Sequence, residues 1–137
     1  RVIALKESRP DLTIELNGGL DTPEDCLNAL KHCDGAMVGR AAYAHPMRWR
    51  DIDNLIYGAT PRQVLASDVL LGLIPHAERH LQRGGRLWDL CRHLVHVVEA
   101  VPGARYWRNN LSTKAQKAGA GVEIIEEAAQ QLLDAGL

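Results

Sequence analysis

The sequence predicts an α/β segment followed by an all-α one. Two short apolar runs, Leu12–Leu16 and Gly35–Gly39, each end in glycine and lead into a helix start, the alternation that builds a parallel sheet or a (β/α) barrel. After Pro46 that alternation stops, and from about residue 60 apolar residues recur only at helical spacing, which predicts a helical bundle.

Val2, Ile3 and Leu5 followed by Lys6-Glu7-Ser8-Arg9-Pro10 read as the last turns of a helix stopped by Pro10, as if the chain were a piece of something longer. Leu12–Leu16 is a strand by composition, and Asn17-Gly18-Gly19 is the loop after it. Thr22-Pro23-Glu24-Asp25 opens a helix with a capping residue, a proline at the first position and acids in the first turn. That helix runs to about His32, with Cys26, Leu27, Leu30 and Cys33 on its apolar face. Gly35–Gly39 is the second strand, and Arg40-Ala41-Ala42-Tyr43 starts a short helix directly after it. Met47–Tyr57 reads as one helix striped by Trp49, Ile52, Leu55 and Ile56. Thr60-Pro61-Arg62-Gln63 reads as a capping box opening a helix to about Arg83, kinked at Pro75 and ended by Gly84-Gly85. Leu87, Leu90, Cys91, Leu94, Val97, Val98 and Val101 predict an amphipathic helix over 87–101. Further helices are predicted over about 104–116 and, striped by Val122, Ile125, Ala129, Leu132 and Leu133, after the Gly119-Ala120-Gly121 loop.

The composition is that of a folded domain: 46% hydrophobic and 24% charged over 137 residues, with no apolar run near the roughly 20 residues of a membrane helix. No secretory leader opens the chain, and three cysteines fit a reducing, cytoplasmic compartment. The net charge of −1 speaks against nucleic acid only until it is divided by region. Residues 1–60 hold 7 basic and 9 acidic side chains; residues 61–118 hold 9 and 4; residues 119–137 hold none and 4. The basic middle consists of Arg62, Arg79, Arg83, Arg86, Arg92, Arg105, Arg108, Lys114 and Lys117, with His76, His80, His93 and His96 among them. It reads either as a solvated helix surface or as a footprint for a phosphate backbone.

Asn17-Gly18-Gly19 and Gly39-Arg40 stand at consecutive strand-to-helix turns. Such turns bind phosphate through backbone N–H groups; glycine leaves room for close approach, and Arg40 adds a two-pronged donor. The bland alternative is two ordinary turns. His76 and His80 lie one helical turn apart, but Ala77 stands where a zinc helix of the His-Glu-x-x-His type has its acid, so no metal site is assigned. Asp89, His93 and His96 fall on a polar helix face, and Cys26, Cys33 and Cys91 read as small apolar residues rather than nucleophiles. Arg105, Arg108, Asn109 and Ser112 share one helix face, a ridge suited to phosphate. Tyr106 and Trp107 are able to stack on bases, but packing is the better reading for Trp107.

Leu12–Leu20, Asp34–Tyr43, Pro102–Arg108 and Lys117–Gly121, in that order, resemble the tRNA-dihydrouridine synthases, specifically their bacterial A subfamily. Gly39-Arg40-Ala41-Ala42-Tyr43 together with Gly103-Ala104-Arg105-Tyr106-Trp107-Arg108 is the specific part; other flavin barrels share only the first two segments. The resemblance implies the C-terminal end of an FMN-binding (β/α)8 TIM barrel over 1–58, then a helical tRNA-binding domain over 59–137. It implies that NADPH reduces the flavin and that the C5=C6 bond of D-loop uridines 20 and 20a is reduced, a cysteine acid protonating the base. It carries FMN contacts onto Asn17, Gly18 and Gly19, the FMN phosphate onto Gly39 and Arg40, and tRNA contacts onto Arg105 and Arg108. The family's catalytic cysteine and the Lys and His that line the flavin belong to earlier strands, so no catalytic residue is assigned here and this chain alone is expected to be inactive. The full-length protein is expected to be a monomer without membrane contact. Ala44-His45-Pro46 replaces the usual His-Asn-Pro, and Asn109 stands where arginine is common.

Two rival readings share these residues. One is a stand-alone helical RNA-binding module; the other is a flavin barrel acting on a small molecule, which leaves the basic helices unused.

Overall fold

In the computed structural model, which describes residues 1–137, two glycine turns and a single crossover helix organise the first part of the chain. It divides into two compact units, Arg1–Arg62 and Gln63–Leu137.

The first unit opens with helix α1, Val2–Ser8, followed by strand β1, Glu15–Asn17. Helix α2, Pro23–Ala29, leads to strand β2, Gly35–Met37, and then to the short helix α3, Arg40–Ala44. A 3-10 turn, Pro46–Trp49, and helix α4, Ile52–Tyr57, complete it. β1 and β2 pair in parallel, Glu15 with Gly35, Leu16 with Ala36 and Asn17 with Met37. Parallel pairing across α2 makes this the βαβ unit that the alternation predicts. The start of α2 is as read: Thr22 Oγ1 accepts from the Asp25 N–H, and the Asp25 carboxylate accepts from the Thr22 N–H at 2.9 Å, a complete capping box. Leu20, Cys26 and Ala29 are buried together, with Leu16, Ala36, Val38, Trp49 and Ile56 packed against them.

β1 begins three residues later than the predicted Leu12. The carbonyl of Leu12 is taken by Lys6 Nζ at 2.7 Å, and the Ile14 N–H by the Asp34 carboxylate at 2.8 Å. Side chains thus satisfy the backbone that a longer ladder would have used. The predicted Met47–Tyr57 helix is also two pieces. Pro46 starts a 3-10 turn, and Asp51, at φ −101° and ψ 8°, leaves helical geometry before α4 begins. Leu55, expected on the apolar stripe, is 41% exposed.

The second unit holds four helices: α5, Ala66–Gln82; α6, Trp88–Leu94; α7, Ala104–Ala115; and α8, Glu123–Asp134. α8 packs against α5 and α7, and α7 also packs against α6. Thr60–Gln63 is not a helix start. The acid that completes a cap is Asp68, which accepts from the Leu65 N–H at 2.9 Å, so α5 begins at Ala66. It runs through Pro75 in one piece. The predicted 87–101 helix ends at Leu94. Pro102 disfavours helical geometry at the residue before it, and Ala100 turns left-handed at φ +54°. Val97 and Val98 are nevertheless buried, so the apolar pattern foretold burial and not helix. On α8, Ile125, Ala129 and Leu132 are buried as expected, but Leu133 is 40% exposed. Ser67 Oγ, fully buried at the start of α5, donates to the Leu137 oxygen at 2.7 Å. No helix is long and apolar enough to cross a membrane.

Candidate functional site

Parallel register decides where the first candidate site forms. Because Asn17 pairs with Met37, both strands deliver their following turns to the same edge of the sheet. Gly18 and Gly19 make the first turn with φ of +107° and +70°, left-handed geometry that side chains resist. Leu20 then returns to the core, and the Asp21 N–H is tied to the Asp25 carboxylate at 3.1 Å. After β2 the chain passes through Gly39 into α3, whose start has no side-chain cap.

A cleft of about 160 Å³ lies between these turns. Asn17, Gly18 and Gly19 line one side, with Leu20 and Asp21; Met37, Gly39, Arg40 and Ala41 line the other. All five residues predicted to bind a cofactor therefore meet in one place. Leu20, Asp21, Met37 and Ala41 were not foreseen; their signal is positional, since each flanks a predicted glycine turn. Gly39 differs from Gly18 and Gly19. Its φ is −115°, and a Cβ built there meets nothing within 4 Å. No neighbouring chain atom demands glycine at 39, so the open space beside it is available to a ligand. Backbone N–H groups, an exposed guanidinium and a surface without bulk suit a phosphate group.

The cysteines stand apart from this cleft. All three are free and buried. Burial pushes the Cys91 thiol up to about 11 and raises that of Cys26, with the Asp25 charge adding to the latter. Both are held as neutral thiols, the inert behaviour expected of small apolar residues.

The basic residues of the second unit fall into two groups. Several are engaged within the protein: Lys114 Nζ grips both Glu127 oxygens at 2.5 and 2.7 Å, Arg86 reaches the Gln116 carbonyl at 3.3 Å, and Arg92 Nε reaches His93 at 3.0 Å. His80 contacts the Asp89 carboxylate at 3.2 Å, and that carboxylate also accepts from the Arg86 N–H. These contacts hold Asp89 below the usual carboxylate range, the Arg86 backbone contributing most. No three His, Cys, Asp or Glu side chains converge as metal ligands do.

The predicted ridge on α7 is redrawn by the structure. Ala104, Trp107, Leu111 and Ala115 form its buried face. Trp107 is packed, and its indole N–H donates to the Ala128 carbonyl at 3.0 Å, joining α7 to α8. Arg108 turns inward and donates to the Val98 carbonyl at 3.2 Å, holding the segment after α6. Arg105, Tyr106, Asn109 and Thr113 are exposed. So Arg105 is presented to solvent while Arg108 is half-buried and partly committed.

Comparison with known proteins adds an independent finding. The family model described as dihydrouridine synthase matches residues 1–134. The chain is similar to the tRNA-dihydrouridine(20/20a) synthase of Shewanella oneidensis, 40% identical over 132 residues, covering 96% of this chain and 39% of that protein. The Salmonella typhimurium protein of the same description is 39% identical over 134 residues, covering 98% of this chain and 40% of its own length. The Vibrio cholerae one is 38% identical over 128 residues, covering 93% and 39%. The chain thus spans about 40% of the length of these curated relatives.

Proposed function

The chain belongs to the dihydrouridine synthase family, and from that premise we propose that it is the C-terminal part of an FMN-dependent tRNA-dihydrouridine synthase acting on uridines 20 and 20a. In this reading β1 and β2 are the last strands of a TIM barrel, and the helices from α5 onward grip tRNA. A two-stranded parallel sheet supports this, because parallel strands are ordinarily flanked by further strands and covered on both faces, whereas here Glu15, Asn17 and Met37 are exposed.

The observation that carries the proposal is the cleft at the C-terminal ends of the two strands, where a barrel's last loops bind phosphate. Gly18 and Gly19, which lack side chains, would leave room for the FMN. Gly39 leaves its N–H open to the phosphate, and Arg40 neutralises the phosphate charge. When bound and reduced by NADPH, FMN would supply the hydride, and an acid the proton, that together saturate C5=C6 of the uridine. The chain's own part is to hold and orient. No cysteine lines the cleft, and the buried, neutral thiols of Cys26 and Cys91 make poor acids for protonating a base. The acid is assigned outside this chain, which by itself is inactive.

The second unit holds the tRNA. Its helix α7 lies in a stretch, residues 100–122, with four cations and no acid, the composition of a surface that meets a phosphate backbone. The test is the purified full-length parent. A yellow protein that forms dihydrouridine in unmodified tRNA transcripts with NADPH supports the proposal; a colourless one without that activity overturns it.

A further inference from the structure

Tyr106 is a large exposed side chain that the account above leaves unused. It is 75% exposed on α7, although its neighbour Trp107 is buried. On the same exposed face stand Arg105, one residue before it, and Asn109, three residues after it. Asn110 lies one turn further on, half-buried. The ring thus stands beside one exposed cation and one exposed amide, in a stretch with no acid from Ala100 to Val122.

A Tyr side chain carries about 150–250 Å² of contact surface, so an exposed ring offers a broad face to a partner. The surroundings select the partner. A protein surface or an apolar peptide has no need of an exposed arginine and amide beside the ring. A nucleobase does: it offers a π-face to the ring, while its phosphates meet the arginine. Duplex RNA hides its base faces, so the base must be unpaired or turned out of a loop. We propose that Tyr106 is a stacking platform for an unpaired nucleobase of the bound RNA, with Arg105 on the adjoining phosphate and Asn109 placed to hydrogen-bond the base edge. This rests on the tRNA reading of the second unit and adds to it a contact that reads a base face rather than charge alone.

The platform differs from a phosphate contact in salt dependence. Stacking releases no counterions, so its loss lowers affinity at every salt concentration by the same factor. The experiment measures binding of an unmodified tRNA transcript to the full-length parent over a series of salt concentrations. Tyr106→Ala is expected to weaken binding about tenfold with the slope against salt unchanged. Tyr106→Phe keeps wild-type affinity, and Tyr106→Leu stays weak, because the ring and not its area is what matters. Unchanged melting of all three variants shows that the ring has no structural role. Wild-type binding of the transcript with Tyr106→Ala within twofold of it overturns the platform and leaves the tRNA reading intact. Failure of the wild-type protein to bind overturns both. If Tyr106→Ala turns an oligomer into a monomer while RNA affinity is unchanged, the ring is a protein contact and the proposal falls.

Discussion

Gly39→Ala separates the requirements of the fold from those of the ligand. The added methyl meets no chain atom within 4 Å, and φ at −115° is not left-handed. The control is Gly19→Ala in the same cleft. At φ +70° alanine is forced into left-handed geometry, and the cost is about 1–2 kcal/mol. If phosphate lies against the Gly39 N–H, the new methyl displaces it and one hydrogen bond to a charged group is lost. That is worth about 1.5–3 kcal/mol, or roughly 10- to 150-fold in FMN affinity. The assay is titration of the flavin-free parent with FMN, followed by quenching of flavin fluorescence, beside a denaturant midpoint for each variant. Gly39→Ala should lose FMN affinity at a smaller cost in stability than Gly19→Ala. Gly39→Ala binding FMN within twofold of wild type, or unfolding as readily as Gly19→Ala, would refute the reasoning.

The structure also splits the two arginines carried over as tRNA contacts. Arg105→Glu is expected to weaken transcript binding and lower the salt slope by about one without changing stability, whereas Arg108→Glu also lowers the melting point, because it strips the Val98 carbonyl of its partner; identical behaviour of the two in filter-binding and melting experiments would sink the distinction. Asp34 is held below the usual carboxylate range, first by Lys6 and then by the Ile14 N–H. A carboxylate so depressed stabilises the fold above its unfolded pKa and loses that contribution as pH falls through the folded value. Melting curves of Asp34→Asn taken from about pH 5 downward should therefore show a flatter acid limb than wild type; parallel limbs would show the contact to be idle. Cys91, with its thiol pushed up to about 11, should resist iodoacetamide at pH 8 until denaturant is added, as peptide mapping by mass spectrometry would show. Labelling of the native protein at the rate of a free thiol would contradict its burial.

Much of this was legible in the sequence because the signals were local. The Thr22–Asp25 cap and the glycine turns after both strands each depend on residues within one helical turn of one another. The failures have a common cause in contacts between distant residues. The late start of β1 depends on Lys6 and Asp34, which reach Leu12 and Ile14 from other elements. The early end of α6 was misread because Val97 and Val98 keep helical spacing while being buried from an irregular segment. The cleft was legible as two turns. That they share one edge follows from the register Asn17 with Met37, which no pattern along the chain displays.

The same distinction explains why a motif does not by itself name a binding residue. Ala104-Arg105-Tyr106-Trp107-Arg108 reads along the chain as one basic, aromatic unit. A helix turns it through 100° per residue, and the unit comes apart. Ala104 and Trp107 go to the core, and Trp107 also bonds α8. Arg108 sits at the edge and spends a donor on Val98. Arg105 and Tyr106 face solvent. The packing of the helix accounts for Ala104, Trp107 and Arg108, which leaves Arg105 and Tyr106 as the pair free to meet a partner. A substitution at Trp107 or Arg108 that abolishes tRNA binding would say little about contact, since both hold α7 in place. A substitution at Arg105 or Tyr106 with the same effect and an unchanged melting point would locate the RNA, and that is the comparison on which the role of the second unit turns.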